Sequence, residues 1–191
     1  MNPASNLILV GPMGAGKTTI GKRLAKHFDL RFVDSDQHIE HHTGARVATI
    51  FDLEGETGFR QRERQAIADL CAGERQLIAT GGGAILDADN RQVMHRRGFV
   101  VWLRTSVSRQ LERLAQDRSR PLLQSGNRRH RLEVMAARRD PLYAACCDLV
   151  FESEQRKVAA AADRLARILG ERWQRELTPI PSPIPSPEQS D

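Results

Sequence analysis

The chain has 191 residues, of which 29 are basic, 24 are acidic and 40% are hydrophobic, so its formal net charge is +5. This length suits one globular domain with a substantial core. No apolar run approaches the ~18 residues that a membrane span requires, and the N-terminus lacks the basic flank and cleavage site of a signal peptide. The chain has three cysteines, an odd number, and no two of them form a CxxC pair. This argues against a disulfide framework and against a structural zinc site. We therefore expect a cytoplasmic protein with no membrane partner.

Short apolar runs alternate with helical stretches along the chain, and this alternation is typical of a parallel α/β sheet with helices on both faces. The first run is followed by a glycine-rich loop and a helix, and the third ends in three consecutive glycines. The five predicted strands are residues 7–10, 31–33, 76–79, 99–103 and 148–151.

Two segments interrupt the alternation. Residues 116–130 are polar and rich in arginine, which predicts a mobile loop between helices. Residues 176–191 contain five prolines and no apolar periodicity, which predicts an extended, disordered tail. Residues 1–175 are then expected to form a single domain.

The glycine-rich loop from Gly11 to Thr18 matches GxxxxGK[ST] in full. Glycines let backbone N–H groups converge on phosphate oxygens, and the following helix presents its positive N-terminal end. We expect Lys17 to bridge the terminal phosphates of ATP and the Thr18 hydroxyl to coordinate Mg²⁺. The residues expected to contact the nucleotide here are Gly14, Ala15, Gly16, Lys17, Thr18 and Thr19.

The remaining sequence narrows the class of nucleotide-binding protein. No Asn-Lys pair exists to read guanine, which argues against a GTPase, and the third strand ends in Thr80 and glycines rather than in the acidic residue of a motor or transporter ATPase. A small-molecule kinase is favoured. Asp34 and Asp36 follow the second strand, where a doubly wound sheet binds its ligands. Either they hold Mg²⁺ and orient an acceptor hydroxyl, or they are an ordinary helix N-cap.

Further motifs resemble the shikimate kinase family over about residues 6–170. The family belongs to the nucleoside monophosphate kinase fold group, so the resemblance implies a P-loop three-layer fold with a five-stranded parallel sheet flanked by helices and a mobile lid. It also implies transfer of the ATP γ-phosphate to the 3-hydroxyl of shikimate, in the chorismate pathway to aromatic amino acids. The motifs are Asp34-x-Asp36, Ile39-Glu40, Gly44, Ile50-Phe51, Gly55-Glu56, Phe59-Arg60, Glu63, Gly81-Gly82-Gly83, Arg120-Pro-Leu-Leu and Arg139-x-Pro-Leu-Tyr143.

The resemblance assigns the acceptor side of the site to residues 34–62 and two later motifs. Arg60 and Arg139 match the arginines that bind the substrate carboxylate, for which a bidentate guanidinium is suited. Asp36 matches the carboxylate that binds the ring hydroxyls and acts as a base or only orients them, and Asp34 matches the one that reaches Mg²⁺. The residues Gly81, Gly82 and Gly83 match a loop whose backbone approaches the ring.

The donor side involves residues further along the chain. Arg120 matches a lid arginine that stabilises the transferring phosphoryl group. The resemblance thus implies three catalytic residues, Lys17, Asp36 and Arg120. Arg113 matches a residue that packs on adenine, and the loop around Gln155 is expected to cover its other side. Residues 109–139 hold nine arginines against three acids, so the excess positive charge lies where ATP and an acidic substrate meet.

Two alternative functions remain open from the sequence. A kinase for another carboxylated polyol, such as gluconate, has the same charge requirements. An ATP-binding regulatory or nucleic-acid-binding module would bind without turnover, although the Asp34/Asp36 pair argues against it. We expect a monomer with no nucleic-acid partner.

Overall fold

The computed structural model describes residues 5–115, 127–153 and 157–173. Five strands form one sheet in the order β2-β3-β1-β4-β5, and every neighbouring pair is parallel. Each predicted strand overlaps an observed one, so the predicted parallel sheet is confirmed. The strands are β1 (Asn6–Val10), β2 (Arg31–Asp34), β3 (Gln76–Ala79), β4 (Gly98–Arg104) and β5 (Leu149–Glu152).

Helices connect the strands and cover both faces of the sheet. A short 3-10 helix, Ala84–Leu86, follows β3. The α-helices are α1 (Lys17–His27), α2 (Ser35–Thr43), α3 (Val47–Ala72), α4 (Ala88–Arg97), α5 (Val107–Arg113), α6 (Arg128–Cys146) and α7 (Val158–Arg172).

The core lies on both sides of the central strand β1, because successive side chains of a strand point to opposite faces. Leu7 and Leu9 belong to the cluster that packs against α1 and α7. Ile8 and Val10 belong to the cluster that includes residues of α3, α4 and α6. All four side chains are buried, and burial of each contributes about 1.5–3 kcal/mol. A strand buried on both faces reads as a continuous apolar run, which is why β1 was recognisable in the sequence.

The order of the strands brings three loops to one edge of the sheet. β1 pairs with β3, and β3 pairs with β2. The carboxyl ends of these neighbours carry the phosphate loop, the three glycines and the Asp34/Asp36 pair. Ligands bind at this edge in open α/β sheets, so the fold places the three motifs together.

Helix α3 contains a kink that no single helical pattern predicts. Gly55 has φ 69° and ψ −174°, so the helix is two helical segments joined at this residue. Both segments pack with α2 around a separate apolar cluster that contains Ile39 of α2, Ile50 of the first segment and Phe59 of the second. These are the helices expected to hold the acceptor.

The predicted loop 116–130 needs one correction. Arg128, Arg129 and His130 form the first turn of α6, with Asn127 as its N-cap through a hydrogen bond from His130 N. An N-cap asparagine before a helix is a recognised start signal that the polar composition concealed. Residues 116–126 and the predicted tail lie outside the described residues. Within the described ranges, no helix has the length and apolarity to cross a bilayer.

Candidate active site

A cavity of about 280 Å³ lies at the carboxyl edge of the sheet. It brings together the phosphate loop, the aspartates after β2, the three glycines and the two arginines predicted to bind a carboxylate. Of the predicted site residues that the structure describes, all except Ala15 and Arg113 line it. The lining residues are Met13, Gly14, Gly16, Lys17, Thr18, Thr19, Asp34, Asp36, Val47, Phe51, Phe59, Arg60, Glu63, Thr80, Gly81, Gly82, Gly83, Leu114 and Arg139.

The phosphate loop has the backbone that its glycines permit. Gly14 and Gly16 have φ of 76° and 93°, a region that favours glycine. Gly16 is also the N-cap of α1, so the positive end of that helix faces the cavity. The Lys17 ammonium donates to the carbonyls of Gly11 at 2.6 Å and Pro12 at 2.8 Å. It is therefore held within the loop that is expected to bind phosphates.

Asp34 is an N-cap, one of the two interpretations that its sequence position left open, and its carboxylate also contacts the phosphate loop. Its Oδ1 accepts hydrogen bonds from the backbone N–H of Asp36 and Gln37, so it is the N-cap of α2. Its Oδ2 accepts a hydrogen bond of 3.0 Å from the Thr18 hydroxyl on the adjacent loop. The cap thus orients the carboxylate so that its second oxygen meets Thr18.

Thr18 and Asp34 place two hard oxygen donors side by side on the cavity wall. Mg²⁺ in kinase sites takes one or two protein oxygens, with waters and substrate phosphates completing its shell. The donor set therefore fits a Mg²⁺ ion shared with a nucleotide. Among the residues described, no group of three or more His, Cys, Asp and Glu side chains forms an all-protein metal site.

The three glycines after β3 are held by hydrogen bonds from two sides. The Gly81 N–H donates to the buried Ser35 hydroxyl at 2.9 Å, and the Tyr143 hydroxyl donates to the Gly82 carbonyl at 2.6 Å. A Cβ on Gly81 would lie 2.6 Å from Glu63 Oε1 and 2.9 Å from Asp36 Oδ1. A side chain here would fill the space beside these carboxylates.

Arg60 lies in a network of carboxylates on α3. Its Nη1 bonds Glu63 Oε2 at 2.6 Å, and its Nη2 bonds Glu56 Oε1 at 2.9 Å. Arg60 and Glu63 thus form an i,i+3 ion pair on the helix. The guanidinium also packs against Gly83, where an added Cβ would collide with it. The carboxylates and the glycine fix the direction in which Arg60 faces the cavity.

Two charged groups on the cavity wall are strongly buried. Burial raises the pKa of Glu63, which is 1% exposed, although neighbouring Arg60 opposes the shift. Burial lowers the pKa of the Arg139 guanidinium, which is 6% exposed, and Tyr143 opposes that shift. Arg139 keeps its charge because an arginine pKa starts far above neutrality. A cation desolvated in this way favours an anionic ligand.

Ala15, a residue of the phosphate loop, and Arg113, which contacts that loop, do not line the cavity. Ala15 is buried. Arg113, on α5, donates to the Gly14 carbonyl at 2.8 Å and to the Ser153 carbonyl at 2.7 Å. Its guanidinium thus links the phosphate loop to the residue that follows β5, and its packing on adenine stays a prediction. Arg120 and Gln155 lie outside the described residues.

Four residues of the site were not assigned these contacts from the sequence: Ser35, Glu56, Tyr143 and Ser153. Ser35 lies between the two aspartates, and Tyr143 ends the Arg139-x-Pro-Leu-Tyr motif, so both stood inside motifs without an assigned contact. Glu56 is i−4 from Arg60, a spacing typical of helical ion pairs. Ser153 contacts a loop 138 residues earlier in the chain, and no local pattern encodes such a contact.

Comparison with known proteins agrees with these features. The shikimate kinase family model matches residues 13–169. A shikimate kinase of Stenotrophomonas maltophilia (strain R551-3) is 55% identical over 176 residues, which cover 92% of this chain and 98% of the relative. The solved structure of Acinetobacter baumannii shikimate kinase in complex with shikimate superposes with a TM-score of 0.86 at 42% identity, covering 89% of this chain and 95% of that one.

A gluconokinase from Sinorhizobium meliloti superposes with a TM-score of only 0.53 at 15% identity, over 90% of this chain and 98% of that one. That likeness shows the shared fold alone. The full-length identity and the family match together decide between the two kinds of kinase: the chain belongs to the shikimate kinase family.

Proposed function

We infer that this enzyme transfers the γ-phosphate of ATP to the 3-hydroxyl of shikimate, giving shikimate 3-phosphate and ADP for aromatic amino acid synthesis. The observation that carries this function is the shared cavity, in which a complete phosphate loop faces Arg60, Arg139 and Asp36. The P–O bond to the acceptor hydroxyl forms as the bond to ADP breaks, and the hydroxyl proton leaves to Asp36 or to solvent.

The acceptor carboxylate binds Arg60 and Arg139 in this proposal. Arg139 is a buried cation, so an incoming carboxylate compensates its desolvation. Arg60 is oriented by Glu56 and Glu63, which leaves its approach to the carboxylate defined before binding. Gly81, Gly82 and Gly83 let the ring approach the backbone, because side chains there would occupy its space.

Asp36 binds the ring hydroxyls, and either orients the 3-hydroxyl or removes its proton. Its carboxylate lies beside Gly81 and Glu63 on the acceptor side of the cavity. Both roles require the same placement, within hydrogen-bonding reach of the acceptor oxygen.

On the donor side, the backbone of Gly14, Ala15 and Gly16 binds the ATP phosphates, and Thr18 and Thr19 contact them from the first turn of α1. Lys17 exchanges its bonds with the Gly11 and Pro12 carbonyls for phosphate oxygens and stabilises the transferring group. Arg120 supplies a second positive charge from the segment after α5. Arg113 and Gln155 complete the nucleotide site.

Mg²⁺ is the cofactor we propose, held by Thr18 and, directly or through water, by Asp34. When bound, the ion neutralises the charge on the phosphates during transfer. The Asp34 cap on α2 keeps the carboxylate turned toward Thr18. We further propose a cytoplasmic monomer that has no nucleic-acid or membrane partner.

The direct test measures ADP release by the purified protein with Mg-ATP, alone, with shikimate and with gluconate. We expect strong stimulation by shikimate and none by gluconate. Stimulation by gluconate alone would reassign the acceptor. No stimulation by either, with ATP bound, would refute the kinase function.

A further inference from the structure

Ser153, the residue directly after β5, forms a hydrogen bond with the phosphate loop from the side away from the cavity. Its side chain is 2% exposed, and its hydroxyl donates to the Ala15 carbonyl at 2.6 Å. Its own backbone N–H donates to the Arg104 carbonyl at 2.7 Å, which continues the pairing of β5 with β4. The backbone that carries the hydroxyl is therefore hydrogen-bonded to the sheet.

Arg113 strengthens the same contact. One guanidinium nitrogen donates to the Gly14 carbonyl at 2.8 Å and lies 3.5 Å from the Ser153 hydroxyl, while the other donates to the Ser153 carbonyl at 2.7 Å. Two consecutive carbonyls of the loop, those of Gly14 and Ala15, thus accept hydrogen bonds from Arg113 and Ser153.

The direction of one peptide unit follows from this contact. The described chain contains no cis peptide bonds, and in a trans peptide the C=O and the N–H of the next residue point in opposite directions. The Ala15 carbonyl points to Ser153, so the Gly16 N–H points away from Ser153. Gly16 lines the cavity, whereas Ser153 and Ala15 do not. The Gly16 N–H is thereby directed toward the phosphate side of the loop.

We propose that Ser153 is a positioning residue for phosphate binding, which orients the Ala15–Gly16 peptide so that the Gly16 N–H is presented to the nucleotide phosphates. The proposal rests on the proposed function only in that the nucleotide binds at this loop. In this proposal Ser153 supports binding of the phosphates, although it lies at the start of the loop around Gln155 that is expected to cover adenine.

Loss of the hydroxyl is expected to reduce affinity for phosphates and not for the nucleoside. Ser153→Ala removes the donor to Ala15, and the peptide loses its preferred direction before the ligand binds. We expect the affinities for ADP and for inorganic tripolyphosphate to fall by about fivefold to tenfold, the effect of one net hydrogen bond. The affinity for adenosine should stay unchanged.

Matched variants separate this role from a structural one. Ser153→Thr keeps the hydroxyl and should restore tripolyphosphate affinity. Ser153→Cys keeps the branching of the side chain with a somewhat larger atom and a weaker donor. It should lower tripolyphosphate affinity as Ser153→Ala does, and it leaves no cavity that could impair folding. Thr43→Val serves as a control that also removes one hydroxyl donor, because the Thr43 hydroxyl donates to the Ile39 carbonyl at 2.8 Å at the end of α2. This substitution should leave the affinities for ADP and for tripolyphosphate unchanged.

The measurements are calorimetric titrations of ADP and tripolyphosphate and a competition titration in which adenosine displaces ADP, all on the full chain without an acceptor. A loss of adenosine affinity equal to the loss for ADP, with tripolyphosphate binding retained, would assign Ser153 to the base and overturn the proposal. Unchanged tripolyphosphate affinity in both the alanine and the cysteine variants would also overturn it. Because no acceptor is present, failure of the shikimate kinase assay is a separate result.

Discussion

Arg60→Lys tests how the acceptor carboxylate is bound. Lysine keeps the positive charge opposite Glu63 and Glu56, so it avoids leaving the buried Glu63 without a cation, which Arg60→Ala would do. It removes the planar fork that binds a carboxylate through two parallel hydrogen bonds. The substitution therefore changes the geometry of recognition while it conserves the net charge of the site.

The magnitude follows from the contacts of Arg60. In the structure its guanidinium forms three hydrogen bonds to the two glutamates, at 2.6, 2.9 and 3.2 Å. The ammonium of lysine has three N–H donors on one nitrogen, so it can bond Glu63 and one substrate oxygen but cannot bind the carboxylate through two parallel hydrogen bonds. Loss of one charge-assisted hydrogen bond costs about 1.5–3 kcal/mol. The kcat/KM for shikimate should fall about 10- to 150-fold, mainly through a higher KM.

Steady-state kinetics with each substrate varied in turn would measure this effect. The KM for ATP should stay close to its wild-type value. Arg62→Lys is the matched control, because Arg62 forms a similar pair with Glu54 at 2.7 and 2.8 Å on the same helix and does not line the cavity. An unchanged shikimate KM in Arg60→Lys, or an equal change in Arg62→Lys, would refute the carboxylate assignment.

Three further predictions concern the glycines, a buried acid and the metal ligands. Gly81→Ala would place a Cβ 2.6 Å from Glu63 Oε1. The KM for shikimate should therefore rise at least about tenfold, while the KM for ATP changes little. A wild-type KM for shikimate would contradict the proposed position of the ring. Glu63 has a pKa raised above its ordinary 4.5, so between the two pKa values the folded state binds more protons than the unfolded state, and the free energy of unfolding should decline as pH rises through the raised pKa. Denaturant titrations over this pH range should show the decline in the wild type and not in Glu63→Gln. Identical pH profiles of the two proteins would exclude a contribution of Glu63. Thr18→Val should raise the Mg²⁺ concentration for half-maximal rate, while Thr18→Ser should not, and equal metal dependence in both would remove Thr18 from the metal site.

Much of the fold was predictable because its signals are local. β1, β3 and β4 are apolar on both faces, so they stand out as continuous hydrophobic runs. The phosphate loop was predictable because its glycines are required at fixed spacing. The start of α6 was misplaced, because the charged residues of its first turn resemble those of a polar loop.

The kink in α3 is a different case. Gly55 was part of a recognised motif, yet the residues around it do not indicate that the helix is interrupted there. The conformation, with φ 69°, is one that glycine permits but does not require. The two segments on either side of Gly55 pack with α2 around one apolar cluster, and a local sequence pattern does not show such a contact between separate helices.

The sequence by itself determined the parallel sheet, the phosphate loop and, through several spaced motifs, the family. The tertiary structure decided how the motifs act together. Asp34 both caps α2 and bonds Thr18, Tyr143 and Ser35 hold the glycine loop, and Ser153 contacts a loop 138 residues away. Local patterns encode backbone conformation and burial, whereas these hydrogen bonds depend on the relative positions of elements that are distant in the chain.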